Sequence, residues 1–363
     1  MANSGLPEEL MLCILTRLPV KIIIRFKSVC KPWFHLLSTP EFKKMHQAQF
    51  SSDPKNQSII VKSFNKFYII NVKSGKKRPT ILDHPFAHAQ NIYSYTVGCC
   101  NGLVCIHKGQ EIVLWNPVIK LSKTFPLKDC GLFKMVSLGF GYDAIGDDFK
   151  VVMIVASTNT TSVELYSANL DSWITIDVGF QFRLFATKNN FIVNGNPYWV
   201  AHVYWNVVLL CFDVFELVFK IVPMPNTTDL DGYTKTGKET SLDLVDWNGA
   251  LGALIINYEV EYLNGSSRTG CVWVLVFDDI EQIWRTVHTF GPIEVDVYRG
   301  RRLLFIKNAK ILGFYTLDKL CVLDLETGRI KELFAHAHIA NSSEFYGYTE
   351  SLAHINGMEK VVN

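Results

Sequence analysis

Nine cysteines, ten histidines and 34 acidic residues are the side chains of this 363-residue chain that could make it an enzyme or a metal protein. The cysteines (Cys13, Cys30, Cys99, Cys100, Cys105, Cys130, Cys211, Cys271 and Cys321) are odd in number and scattered, most of them within apolar runs such as Val207-Val-Leu-Leu-Cys211-Phe. A thioester-forming cysteine needs a basic neighbour or a helix N-terminus to lower its pKa, and none has such a local setting. No CxxC pair exists to support a zinc site. His336 and His338 would share one face of a strand, but no third ligand accompanies them. His84 and His88 are four apart, with Pro85 between them arguing against a helix. Asp143, Asp147, Asp148, Asp278 and Asp279 form the obvious carboxylate clusters, and they fall in turn sequences. No GxSxG elbow, HExxH helix or P-loop appears. These residues predict no catalytic set, no cofactor and no metal, and so a protein that binds rather than reacts.

The bulk properties agree with a binding protein. Apolar residues make up 48% and charged residues 19%, enough for a sizeable core, and the length suits two unequal domains. A net charge of +2 with no long basic run predicts no nucleic-acid partner. No run of 18 apolar residues predicts a membrane span, and Met1-Ala2-Asn3-Ser4-Gly5 does not open a signal peptide. Scattered cysteines in apolar runs read as reduced core residues, which predicts a cytoplasmic protein, with the nucleus as an alternative.

Two kinds of element must position whatever binds. In the first 45 residues, Pro7, Pro19, Pro32 and Pro40 each open an apolar stretch, as proline does at the first turn of a helix. Leu10, Met11, Ile14, Leu15 and Leu18 form a stripe at helical spacing; Ile22, Ile23, Phe26 and Val29 belong to a second helix, and Trp33, Phe34, Leu36 and Leu37 to a third. Pro40 is expected to start a last turn through Phe42. Leu6 occupies the expected N-cap, where leucine is a poor choice, so its side chain is wanted for packing. So short a segment cannot bury three apolar helix faces by itself.

After residue 57 the sequence alternates strands and turns, starting with 58–61, 67–72, 102–106 and 112–116. An apolar pair, a turn on Asn, Asp or Ser, and a second apolar strand recur at Asn71, Asn116, Ser167, Asp213, Asp278 and Asp324, at intervals of 45, 51, 46, 65 and 46 residues. Periods in the forties match four-stranded propeller blades. The long interval is assigned to the polar stretch 226–241 and the Asn264 segment. The fold expected is an α+β multidomain chain: helices over 1–45, a linker over 46–57, and an all-β propeller-like domain of about six blades over 58–363.

Leu6-Pro7-Glu8-Glu9-Leu10, Ile14-Leu15, Arg17-Leu18-Pro19-Val20-Lys21, Arg25-Phe26-Lys27, Val29-Cys30-Lys31 and Trp33 resemble the plant F-box over residues 6–42 without a gap; Ile22 stands where that family has a small polar residue. The resemblance implies docking to a Skp1-like adaptor, and through it to cullin and RING subunits. It places Leu6, Pro7, Leu10, Ile14 and Leu15 first in the contact strip, then Leu18, Pro19 and Ile23, then Val29, Cys30 and Trp33. Central anchors of this kind of groove-bound helix face are worth about 2 kcal/mol or more each.

Gly98-Cys-Cys-Asn-Gly102-Leu-Val, Leu114-Trp115-Asn116-Pro117, Gly139-Phe-Gly-Tyr142-Asp, Phe149-Lys150-Val151-Val152, Val163-Glu-Leu-Tyr166-Ser, Ser172-Trp173 and Asn194-Gly195-x-x-Tyr198-Trp199 look like the kelch-like F-box-associated domain, over about 96–330. Tyr348-Thr349-Glu350-Ser351-Leu352 is similar to the S-locus (S-haplotype-specific) F-box branch, which implies stylar ribonucleases as targets in pollen self-incompatibility. Together the resemblances imply a non-catalytic substrate receptor of an SCF-type E3 ubiquitin ligase. A non-ligase F-box scaffold and a propeller enzyme stay open as alternatives.

Trp115, Trp173, Trp199, Trp273 and Trp284 are expected between blades. Target recognition is expected in loops at 156–162, 180–191, 226–241, 258–270 and 292–302, with Tyr233, Tyr258, Tyr262, Tyr298, Arg299 and Arg301 as contact residues, because Tyr and Arg favour binding hot spots.

Overall fold

The computed structural model describes residues 7–63, 66–73, 79–82, 85, 94–129, 135–156, 161–184, 190–225, 238–259, 269–294, 304–306, 310–315, 319–335 and 344–361. Four helices come first: α1 (Glu8–Leu15), α2 (Val20–Phe26), α3 (Lys31–Leu36) and α4 (Pro40–Ser52). The prolines start them in three ways. Pro7 and Pro19 are themselves the N-caps, with ψ of 141° and 145°, Pro32 lies within the first turn of α3, and Pro40 is the first residue of α4. Leu6 is therefore not the cap of α1; it lies outside the described residues. Thr39 caps α4, its hydroxyl accepting from Phe42 N at 3.1 Å.

The last turn expected at Pro40 is instead a 13-residue helix that runs through most of the expected linker, followed by a 3-10 turn at Pro54–Asn56. The reason is burial: α4 seats Phe42, His46 and Phe50 in the core, at 1%, 0% and 4% exposure. Asn56 and Gln57 then donate side-chain hydrogen bonds back to the carbonyls of Phe50 and Ser51, which makes this segment a splice rather than a tether.

Six antiparallel sheets follow among the described residues. The first holds β1 (Gln57–Ser63), β2 (Lys66–Asn71) and β3 (Thr80–Leu82); the second β4 (Ser94–Cys100), β5 (Leu103–Lys108), β6 (Glu111–Asn116) and β7 (Leu121–Pro126). The third holds β8 (Met135–Asp143), β9 (Asp148–Ala156), β10 (Thr161–Ser167) and β11 (Ser172–Ile176). In the fourth, β12 (Phe182–Leu184) and β13 (Asn190–Val193) both pair with β14 (Asn196–Val203), followed by β15 (Asn206–Asp213) and β16 (Val218–Pro223). The fifth holds β17 (Lys238–Trp247), β18 (Ala250–Glu259), β19 (Thr269–Asp278) and β20 (Ile283–Glu294); the sixth β21 (Leu304–Ile306), β22 (Ile311–Tyr315), β23 (Lys319–Asp324) and β24 (Ile330–Ala335). The chain then returns: β25 (Glu344–Thr349) pairs with β1, and β26 (Glu359–Lys360) adds to the outer edge of the second sheet. The ring is thus a six-bladed propeller closed by hydrogen bonding its last strands to its first blades, which leaves β1 no open edge.

The repeat residues all sit at one structural position, the end of the third strand of a blade, where the chain turns into the outermost strand. Their side chains make the turns. Asp213, Asp278 and Asp324 each accept two following backbone N–H groups through Oδ1. Asn71 and Asn116 accept from Lys73 and Val118, and the Ser167 hydroxyl from Leu170. Four residues after the anchor the backbone turns left-handed at Lys120, Asp171, Leu217, Gln282 and Gly328. The long fourth interval includes ten-residue strands, and residues 238–241, expected as loop, belong to β17.

Between blades, Trp115 and Trp199 are buried, at 1% and 0% exposure. Trp173 and Trp284, only partly buried, reach the preceding blade, their Nε1 groups donating to the carbonyls of Pro126 at 3.3 Å and Pro223 at 2.8 Å.

Candidate functional site

The helices divide into an inward and an outward face. Leu15, Val20, Ile23, Leu37 and Phe42 form one core with Ile60, Val104, Ile106, Trp115, Val118, Tyr348 and Leu352 of the propeller. Leu18, Phe26 and Trp33 pack against it, with the Phe26 and Trp33 rings 5.1 Å apart. Of the predicted strip, Leu15 and Ile23 are therefore corrected to internal core residues, at 2% and 0% exposure. The segment cannot bury all its helix faces alone, and the propeller takes that face. Pro7, Leu10, Ile14, Pro19, Val29 and Cys30 lie outward, Leu10 and Ile14 half exposed and Val29 at 63%. The structure adds Ile24, Phe34 and Met45 to this outer face. Phe34 was legible only as part of a helix, because its direction depends on how α3 is rolled against α2.

His46 ties α4 to the turn between α1 and α2. Its Nε2–H donates to the Leu18 carbonyl at 2.8 Å, its ring stacks on Phe50 at 5.2 Å, and burial lowers its pKa, so the imidazole is neutral. Burial, then Lys43, lowers the pKa of Lys27, while burial raises that of Glu350 against the opposing pull of Lys21.

The innermost strands all finish at one end of the propeller axis. Tyr142 N donates to the Gly195 carbonyl at 3.0 Å, Asn194 Nδ2 to that of Gly249, and Ser351 Oγ to that of Asn101 at 2.8 Å. Gly195, at φ 80°, has no room for a side chain: a Cβ would lie 2.5 Å from the Tyr142 carbonyl oxygen. Val118 and Ile119, in the turn after β6, contact the helical core at this same end. β9, β16, β18 and β20 finish, and β12 lies, at the opposite end of the axis; most residues of the five segments expected to recognise a target, which these strands bound, lie outside the described residues. The helices and these strand ends thus lie on opposite faces of the disc.

Tyr233, Tyr262, Tyr298, Arg299 and Arg301 lie outside the described residues, as do His84, His88, His336 and His338. Tyr258 is placed in β18 opposite Glu239 and Gly270. The described part of the far face presents two aromatic residues not anticipated from the sequence. Tyr204 and Trp205, the tip of the β14–β15 hairpin, are 80% and 96% exposed, and Tyr204 holds φ at 56°. Val-Tyr-Trp-Asn reads as continuous strand; the signal was a two-residue turn without Gly.

The carboxylate clusters serve the turns and blade contacts. Asp143 is buried, which alone would raise its pKa, but the Gly146 and Ile145 N–H groups and the Lys150 ammonium at 3.0 Å hold it below the ordinary range. Asp148 accepts from Ser167 and Asn169, and Asp147 from the Tyr142 hydroxyl. Burial pushes the Cys100 thiol up to about 12 and raises those of Cys99 and Cys105, the opposite of a nucleophile's setting. Among the described residues no group of three His, Cys, Asp or Glu could hold a metal, and no helix is long and apolar enough to cross a membrane.

The model of the F-box associated beta propeller domain matches residues 57–355. The chain belongs to this family. The F-box domain model matches residues 3–45, a range that includes α1 to α3 and the start of α4. A putative F-box protein of Arabidopsis thaliana is 29% identical over 61% of this chain and 61% of its own length. An F-box/kelch-repeat protein of the same plant is 29% identical over 61% of this chain and 66% of its own. A further putative F-box protein is 22% identical over 96% of this chain and 87% of its own. The match thus spans less than two thirds of the first two relatives' length.

Proposed function

We propose that this F-box propeller protein is the substrate-recognition subunit of an SCF-type E3 ubiquitin ligase. The observation that carries the reading is an opposition within the described residues: an outward apolar helix face at one end of the propeller, and at the other the strand ends that bound the predicted recognition loops, with the exposed Tyr204–Trp205 hairpin tip. The outward residues Leu10, Ile14, Val29 and Phe34 would enter the groove of a Skp1-like adaptor, which joins cullin and RING subunits. The far face, with Trp205 at its rim, would hold a protein target. Chemistry would come from the charged ubiquitin carrier; this chain would raise the effective concentration of target lysines near it. Such a subunit works in the cytoplasm, with the nucleus as the alternative.

A stylar ribonuclease is the finer target reading. The segment that carries it, Tyr348–Leu352, is interior here, with Tyr348, Ser351 and Leu352 at 3%, 2% and 5% exposure, so it supports the fold of that branch and not its target. Binding of a purified ribonuclease to the full chain tests it directly.

The ligase reading is tested by capture of a purified Skp1-like adaptor by the full chain and by a Leu10→Ala/Ile14→Ala double variant. Capture by the first and its loss in a folded second form support the reading. No capture by a folded full chain overturns it.

A further inference from the structure

Among the described residues, three two-residue hairpins turn on Asn-Gly: Asn101-Gly102, Asn194-Gly195 and Asn248-Gly249, all at positive φ. The β14–β15 hairpin makes its two-residue turn with Tyr204-Trp205 instead. Tyr204 holds φ at 56°, a conformation that strains a bulky residue and that Asn or Gly adopts readily. No burial offsets the strain, since the two side chains are 80% and 96% exposed. Strain kept at an exposed aromatic tip points to binding. Below the tip, strand register sets three side chains side by side on one face of the sheet. Arg183 of β12 lies opposite His202 of β14, which lies opposite Val207 of β15. Tyr198 and Val200, on the same face of β14, pack against the core beside the fifth blade, and the row continues that face beyond the core. Val207 is 40% exposed. Arg183 is exposed and makes no hydrogen bond or ion pair among the described residues. In a chain with 34 acidic residues, none falls between Asp177 and Asp213.

We propose that this aromatic, aliphatic and cationic patch docks an acidic, extended segment of the target protein. The inference rests on the substrate-receptor reading above and names the kind of segment received. An apolar side chain of the segment lies on the Trp205 ring and Val207, and an Asp or Glu carboxylate accepts from the Arg183 guanidinium. Neighbouring strands lie about 4.8 Å apart, so Arg183 stands about 10 Å from Val207, the span of about three residues of extended chain. The segment recognised is therefore an apolar residue with a carboxylate about three positions away.

The test is a titration of the full chain with capped synthetic peptides, followed by ligand-observed NMR. The probe holds Phe and Glu about three positions apart in a Ser-rich background; controls replace Glu by Gln or Lys, or set Phe and Glu side by side. Saturable binding of the probe in about the millimolar range is expected, about tenfold weaker in Trp205→Ala and for the Gln peptide. Arg183→Glu should lose the Glu peptide and gain the Lys peptide, a reversal that damage to the fold would not produce. Rising salt should weaken binding, as for an exposed ion pair. Equal binding of the Glu and Gln peptides, or of the spaced and adjacent pairs, overturns the proposal, as does binding that Trp205→Ala leaves unchanged. No saturable binding to a full chain that still captures the Skp1-like adaptor overturns the proposal and leaves the ligase reading standing. Failed adaptor capture with intact peptide binding overturns the ligase reading and leaves a peptide-binding propeller.

Discussion

Asp213, Asp324 and Asn116 do one job in three different blades: a side-chain oxygen ends the third strand by taking the N–H groups of the next residues. That job needs a short acceptor and tolerates Asp, Asn or Ser, which is why the repeat survives as a chemical type while its identity drifts. Asp213 also pairs with Lys220 at 2.7 Å, and that contact and the turn N–H groups hold its pKa below the ordinary range although burial acts to raise it. Asp213→Ala should cost about 1 kcal/mol in urea unfolding, with the blade otherwise intact. A loss within experimental error would mean that the pairing of β15 with β16 holds the turn unaided. At the far face, Trp205 buries almost nothing in its own chain. Trp205→Ala should leave the unfolding temperature unchanged and weaken target capture tenfold or more.

At the scale of the element, the helical segment has two faces with opposite sensitivities. Leu10→Ala and Ile14→Ala remove half-exposed side chains and should change stability by less than about 0.5 kcal/mol while abolishing adaptor capture. Leu15→Ala and Ile23→Ala should each cost about 2–5 kcal/mol, because they open cavities in the core shared with the propeller. Equal loss of stability in both pairs would mean that the outer face is not free. The helical segment also has a pH dependence of known sign. His46 is neutral in the folded chain, its pKa lowered from 6.5 by burial. The unfolded state therefore takes up more protons as pH falls below that value, so the contribution of His46 is present at neutral pH and lost on acidification through its folded pKa. Burial lowers His107 and His354 as well, so the whole chain should lose stability in the same direction. His46→Gln should flatten the stability profile between pH 7 and pH 5 relative to the wild type; an identical slope would remove His46 from the account.

For the whole molecule, the decisive contact is the return of the C-terminus to the first blade. β25 pairs with β1 along its length, Lys62 and Glu344 meet at 3.8 Å in the seam, and Glu344 also accepts from Thr96 N at 2.7 Å in the next blade. Asn116 reaches the same tail, donating to the Ser351 and Ala353 carbonyls. Deleting residues 344–363 would leave β1 without its axial partner, take β25 from the side of β4, and leave the helical core without Tyr348 and Leu352. The truncated chain should lose cooperative unfolding and aggregate through the freed edge, as seen by calorimetry and light scattering. A sharp two-state transition in that form would show that the ring does not depend on its closing strand.

Local chemistry was readable because it is encoded within a few residues. Turn acceptors at a blade-length period, strand-forming runs between them and proline-started helices foretold the fold class, the blade number and the repeat position, and the residues that resemble an F-box carried the family. What needed the tertiary structure was every question of direction. Leu15 and Ile14 are chain neighbours of the same chemical type, yet one is core and the other surface, because the propeller covers only one side of α1. The linker became helix because α4 had core to fill, and the tail became a closing strand because a ring needs its two ends joined. The strand ends that bound the candidate loops share a face only because the inner strands run the same way along one axis, an order set by packing between blades far apart in the chain.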